Sequence, residues 1–259
     1  MNQTIISWTD VTWNPTHGCS HVSEGCRNCY AERISRQKRL TSLPWTERNA
    51  SHNVLLKPHK LREPYRLKTP ARVFVNSMSD LFHPQIPDDY IAGVFAVMND
   101  LPQHPFQVLT KRPERAATWP GPWSPNIWMG TSVEDRRSLH RLDALRGCPA
   151  AVRFISFEPL LEPIADDANF DLTGYQWAIV GGESGPGFRP MSHSWARAIK
   201  DRCLADQVAF FFKQSASYRN EKGIGLQDHD GVFYIWHQFP DQHTSAARSE
   251  PHPFTYDPC

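Results

Sequence analysis

Val73-Phe74-Val75-Asn76-Ser77-Met78-Ser79-Asp80 begins with three apolar residues and ends in polar ones. The same form returns at Phe106-Gln107-Val108-Leu109-Thr110, Ile127-Trp128-Met129-Gly130-Thr131 and Val152-Arg153-Phe154-Ile155-Ser156. It returns again at Trp177-Ala178-Ile179-Val180-Gly181 and Val208-Ala209-Phe210-Phe211-Phe212. Short, nearly continuous apolar runs separated by connections predict parallel strands covered on both faces. Several connections read as helices. Apolar Ile91, Val94, Phe95 and Met98 recur at helical spacing in 88–100, and Trp195, Ile199 and Leu204 do so in 192–206. Ser132-Val133-Glu134-Asp135 reads as a helix cap with an acidic first turn, continued by 136–147. The proline-punctuated stretch 159–175 reads as a loop.

Upstream, 4–14 is β-branched and aromatic and predicts a strand. It feeds Gly18-Cys19-Ser20-His21-Val22-Ser23-Glu24-Gly25-Cys26-Arg27-Asn28-Cys29-Tyr30, and the residues after Cys29 predict a helix. Three of the six cysteines therefore sit in one short loop with spacing Cys-x6-Cys-x2-Cys. Gly18 and Gly25 precede two of them, where a ligand loop often needs unusual backbone angles. Such a loop suits a structural zinc site, with His17 or His21 as fourth ligand. It equally suits a cubane iron–sulfur cluster on three thiolates with one iron left open. A disulfide framework fits poorly, because Cys148, Cys203 and Cys259 are scattered and read as structural.

At 259 residues and 40% hydrophobic content the chain can bury a sizeable core. No run has the length of a membrane span, and the first residues lack a basic segment followed by an apolar one. A cytoplasmic protein is expected, with no membrane partner. The fold expected is α/β, a partial TIM-like βα barrel with an N-terminal three-cysteine cluster loop, forming a single domain over 1–259. Its net charge of +1 hides an asymmetry. Residues 33–72 hold eleven basic and two acidic side chains, and the rest of the chain is acidic. This basic insertion reads either as a solvated cover or as a polyanion-binding flap. In the second case Lys57, Lys60, Arg62 and Arg66 contact phosphates, and Trp45 or Tyr65 stack on bases.

In a βα barrel the strand C-termini form the active face. Those ends carry Asn14, Ser77, Asp80, Thr110, Lys111, Arg112, Thr131, Ser132, Glu134, Ser156, Glu158, Glu183, Ser184, Lys213 and Gln214. Polar strand ends are common, but Glu158, Glu183 and Lys213 each follow an apolar run within three residues and are the catalytic candidates. Gly181-Gly182-Glu183-Ser184-Gly185 would let backbone N–H groups approach a ligand closely.

The order of strand, three-cysteine loop and repeated βα units resembles the radical S-adenosylmethionine superfamily. Thr-Trp-Asn-Pro from Thr12, Cys-Tyr-Ala from Cys29, Ser-Met-Ser-Asp-Leu-Phe from Ser77, and Leu-Thr-Lys-Arg-Pro from Leu109 narrow the likeness. So do Gly-Thr-Ser-Val-Glu from Gly130, Ser-Phe-Glu-Pro-Leu from Ser156 and Val-Gly-Gly-Glu-Ser-Gly from Val180. Together they are similar to the phage Gp37/Gp68, or three-Cys-motif, family of uncharacterised proteins. The superfamily resemblance implies a [4Fe–4S] cluster on Cys19, Cys26 and Cys29 with S-adenosylmethionine on its open iron. One-electron reduction would then yield a 5′-deoxyadenosyl radical that abstracts a substrate hydrogen. It also implies an electron donor such as flavodoxin or ferredoxin. The superfamily's first cysteine gap is three, whereas here it is six, and its Gly-Gly-Glu follows the second strand, whereas here it comes much later. Ser77 and Asp80 are therefore expected to meet the cofactor's amine, and Thr131, Ser132 and Glu134 its ribose. The function expected is modification or repair of a nucleic acid or nucleotide. The rivals are a zinc- or iron–sulfur-bearing nucleic-acid-binding protein without radical catalysis, and a cluster serving electron transfer in photolyase-like repair.

Overall fold

A computed structural model describes residues 1–219, 224–240 and 252–254. The chain divides into two compact units, Met1–Thr131 with Ala144–Arg153, and Ser132–Asp143 with Phe154–Cys259. Each is a parallel α/β assembly, the strand arrangement that a partial βα barrel requires.

The first unit contains β1 (Asn2–Gln3), β2 (Val11–Trp13), β3 (Thr16–His17), β4 (Leu55–Leu56), β5 (Val73–Val75), β6 (Phe106–Thr110) and β7 (Ile127–Ser132). Its helices are α1 (Tyr30–Gln37), α2 (Ala50–Asn53), α3 (Asp88–Asp100) and α4 (Pro113–Ala117). Strands β2, β5, β6 and β7 run parallel, with Val11, Val73, Phe106 and Ile127 in one row of the register. Every residue of β5 is buried, as continuous apolar runs require when both faces are covered. Helix α3 packs Ile91, Val94, Phe95 and Met98 inward, at the spacing expected from the sequence.

The expected strand over 4–14 shortens to Val11–Trp13. Upstream of it the chain turns on its own polar groups. The amide of Ile6 donates to Thr4 Oγ1 and that of Thr9 to the Ile6 carbonyl, which leaves Ile5 81% exposed. Local side-chain bonds of this kind compete with a strand ladder.

The second unit holds α5 (His140–Arg146), β8 (Val152–Phe157), β9 (Trp177–Gly181), α6 (His193–Ala205), β10 (Ala209–Gln214), β11 (Leu226–Gln227), β12 (Phe233–Ile235) and β13 (His252–Phe254), the division falling before the last residue of β7 and within α5 and β8. Strands β8, β9 and β10 are parallel, and β11–β13 form a small antiparallel sheet. Residues 159–175 contain no helix or strand, as expected.

The helix expected from Ser132 starts later. Ser132 stays in β7, and Asp135 caps a 3-10 turn, Arg136–Ser138, that precedes α5. Its Oδ1 accepts from the Ser138 amide at 3.0 Å while Ser138 Oγ accepts from the Asp135 amide at 3.1 Å. Cys148 and Cys203 are buried structural thiols. Cys259 lies outside the described residues. Among the described residues no helix is long and apolar enough to cross a membrane.

Candidate functional site

The cysteine loop belongs to the first unit, and its entry is fixed by a glycine. Gly18 has φ +83°, donates its amide to the Met78 carbonyl at 3.0 Å, and a Cβ there would fall 1.8 Å from the Asn53 carbonyl oxygen. Gly25 differs from expectation: it sits in a single 3-10 turn, Glu24–Cys26, and needs no left-handed angle. Cys26 is buried in that turn, and Cys29 is the residue capping α1. The amides of Glu32 and Ala31 hold the Cys29 sulfur, opposing the burial that raises its pKa. Burial pushes the Cys19 thiol up to about 12, with Asp80 and Cys26 adding to the rise and Arg112 opposing it. A charge on Cys26 would add to the rise at both Cys19 and Cys29.

Behind the loop stands Arg112, on the turn after β6. Its Nη1 donates to Cys19 Sγ at 3.6 Å and to Asp80 Oδ2 at 3.1 Å. Its Nη2 donates to the carbonyl and the hydroxyl of Ser20, both at 3.1 Å. Asp80 is saturated by protein donors. Oδ1 accepts from the Phe82 amide at 3.0 Å and Thr110 Oγ1 at 2.6 Å, and Oδ2 also accepts from the Lys111 amide at 3.0 Å. Ser20 Oγ donates to Glu47 Oε2 at 2.8 Å and lies 2.9 Å from His83 Nε2. The Gln85 amide donates to His83 Nδ1 at 3.1 Å, so Nε2 carries the proton and donates to Ser20. On the other side of the loop, Tyr30 donates to the Ser77 carbonyl and Asn14 pairs with Ser77 Oγ at 3.1 Å.

Among the described residues no group of three or more His, Cys, Asp or Glu side chains stands gathered for a metal ion. The imidazoles considered as fourth ligands are engaged elsewhere. His17 Nε2 meets Ser35 Oγ at 2.9 Å and His21 Nε2 meets Glu32 at 2.8 Å. The chemistry of the donor set nevertheless fits a thiolate-held centre. Arg112 meets the Cys19 sulfur, and the Glu32 and Ala31 amides and the Lys111 charge act on Cys29, contacts that oppose the burial of these two thiols and favour their charged forms.

The basic insertion is tied to the loop by backbone. β3, just ahead of Cys19, pairs antiparallel with β4, matching His17 to Leu55. Arg62 and Arg66 are exposed, while Lys57 and Lys60 are half-buried. Burial and Lys60 lower the Lys57 pKa. Tyr65 is 42% exposed with Arg62 above its ring at 5.6 Å. Trp45 corrects the sequence reading: it is 2% exposed, its Nε1 bonded to Thr41 Oγ1 at 3.0 Å, so it fills core space and stacks on no base.

The other candidates are engaged within the protein. In the first unit Thr131 is buried and donates to the Thr110 carbonyl at 3.0 Å. In the second, Glu134 is fully buried against Arg141 at 2.9 Å, and the Ser132 carbonyl accepts from the same guanidinium at 2.8 Å. Glu183 takes three donors from Arg189, between 2.5 and 3.1 Å. Gly182 is glycine because a Cβ would lie 2.2 Å from the Ala216 amide nitrogen, a close approach to the chain's own backbone. Lys213 sits where the β10 register slips against β9, a bulge that presents its ammonium to Glu158 at 2.9 Å. Gly181 leaves room for that carboxylate, since a Cβ would come within 2.6 Å of Glu158 Oε1. Strand-end polarity named Arg112 without giving it a role, and Tyr30, Arg141 and Arg189 carried no signal beyond their nearness to the motifs.

What the parallel strands and the cation-walled thiol loop define is an α/β protein with a candidate soft-metal centre. It belongs to the family described as protein of unknown function (DUF5131), whose model matches residues 3–249. No curated protein and no solved structure matches the chain.

Proposed function

We propose that this cytoplasmic protein is a radical S-adenosylmethionine-like [4Fe–4S] enzyme that modifies or repairs a nucleic acid or nucleotide. The observation that carries the reading is Arg112 hydrogen-bonded at 3.6 Å to the sulfur of Cys19, the first thiol of the three-cysteine loop. The likeness of the loop and its flanking motifs to the phage Gp37/Gp68 family and to the radical S-adenosylmethionine superfamily supports it. When bound, such a centre supplies one electron for reductive cleavage of S-adenosylmethionine, drawn from a flavodoxin- or ferredoxin-type donor.

The chain's own residues hold and orient. Cys19, Cys26 and Cys29 are the ligands. Asp80 acts through Arg112, since its oxygens are filled by protein donors. Ser77, partly exposed and paired with Asn14, takes the polar end of the cofactor in place of Asp80. Exposed Arg62 and Arg66 neutralise phosphates, and Tyr65 offers the exposed ring. The Glu158–Lys213 pair, bulged at a strand end, is the acid–base candidate of the second unit.

The test is anaerobic incubation of iron-loaded protein with S-adenosylmethionine and dithionite, with 5′-deoxyadenosine followed by chromatography. Its formation, lost in Cys26→Ala, supports the enzyme. Iron-loaded protein that binds nucleic acid and forms none would leave the non-catalytic binding protein as the function.

A further inference from the structure

We propose that Arg112 tunes the three-cysteine centre, raising its reduction potential through the Cys19 sulfur, and that Asp80 acts as the opposing charge. This rests on the reading of Cys19, Cys26 and Cys29 as ligands of an iron–sulfur centre.

The geometry is that of a fixed charge. The Arg112 side chain is 12% exposed, and that of Asp80 8%. Four hydrogen bonds from the guanidinium are shared among Cys19 Sγ, Asp80 Oδ2, and the carbonyl and hydroxyl of Ser20. The planar fork reaches a sulfur, a carboxylate and the loop backbone at once, which a lysine ammonium does not. Its own amide donates to Thr110 Oγ1 at 3.0 Å, and that hydroxyl in turn donates to Asp80. Ser20 is pinned by the proton-bearing Nε2 of His83 and by Glu47. The guanidinium therefore cannot swing away from the sulfur without breaking a buried network.

A cation hydrogen-bonded to a ligand sulfur stabilises the more negative, reduced state of an iron–sulfur centre. Hydrogen bonds to sulfur, net charge and burial are what set such potentials, and a weakly screened charge acts strongly. The Asp80 carboxylate works in the other sense. A clamp that merely held the loop would move the potential in no particular direction. A charge pair moves it in opposite directions when each partner is neutralised.

The experiment uses the full chain, reconstituted anaerobically with iron and sulfide, as wild type, Arg112→Gln, Arg112→Lys and Asp80→Asn. Iron and sulfide content are measured first, then the midpoint potential by spectroelectrochemical titration. With iron retained, Arg112→Gln shifts the potential negative, Arg112→Lys shifts it less, and Asp80→Asn shifts it positive. Full loading with unchanged potentials, or shifts of one sign in both Arg112→Gln and Asp80→Asn, overturns the proposal. If Arg112→Gln loses its iron, Arg112→Lys and Asp80→Asn decide by the same signs. A wild type that takes up no iron defeats the three-cysteine reading itself, and the tuning role falls with it.

Discussion

Nη1 of Arg112 reaches the Sγ of Cys19 at 3.6 Å across 93 positions of chain. The contact joins the turn after a parallel strand to the loop that carries the three cysteines. The same guanidinium is held by Asp80 from the loop after β5. Three segments that are distant in sequence thus converge on one sulfur, and the cysteine loop is braced by the first unit's strand ends.

Glu134 separates a scaffold role from a ligand role. Its carboxylate is fully buried and faces Arg141. Removing the cation leaves a buried charge uncompensated, which costs about 3–5 kcal/mol. Arg141→Met is expected to lower the urea unfolding free energy by about that much. If Glu134 instead served a bound ribose, Arg141→Met would weaken S-adenosylmethionine binding in calorimetry while leaving the unfolding curve unchanged.

Acid sensitivity follows from His83. Burial, then the nearby Arg112 cation, lowers its pKa to about 4, while Asp80 and Glu47 oppose and Arg115 adds to the lowering. His17, buried beside Lys57 and Lys60, is also held to about 4. Unfolded histidine titrates near 6.5, at about pH 6.5, so the unfolded chain takes up these protons first. Stability is therefore full above that pH and is lost as pH falls toward about 4. His83→Gln is expected to flatten the fall in urea midpoint through this window. An unaltered acid slope would mean that His83 is already protonated in the folded state.

Phosphate binding by the basic insertion predicts a steep salt dependence. Affinity for single-stranded DNA or RNA should fall linearly on a log–log plot, and each lost contact should flatten the slope by about 0.7. Arg62→Glu with Arg66→Glu removes two exposed cations and should flatten it more than Lys57→Glu, whose ammonium is half-buried. Binding indifferent to salt, or equal in all variants, would shift the substrate to a small molecule.

The apolar runs made the strands legible, because a strand buried on both faces must be apolar along its length. β6 and β9 fall where the runs do. The helix expected from Ser132 starts later, because a serine and two acidic residues suit either a strand end or a cap, and register keeps Ser132 in β7. The cysteines stood out by spacing alone. Their neighbour Arg112 could not, since only the pairing of β2, β5 and β6 brings the 14–20, 77–80 and 110–112 turns together. The partners of Glu183 and Glu134 were not legible, because Arg189 and Arg141 carry no periodic signal. Trp45 was read with its basic neighbours, and burial removed it from them.

The central claim is that Cys19, Cys26 and Cys29 hold an iron–sulfur centre. Its most direct test is metal and sulfide analysis of protein made and purified without oxygen, for the wild type and six single variants. The account predicts about four iron and four sulfide per chain, the content of a cubane cluster. It predicts their loss in Cys19→Ala, Cys26→Ala and Cys29→Ala, and their retention in Cys148→Ala, Cys203→Ala and Cys259→Ala. Stoichiometric zinc in the anaerobic wild type, or iron that survives removal of any of the three loop cysteines, would contradict it.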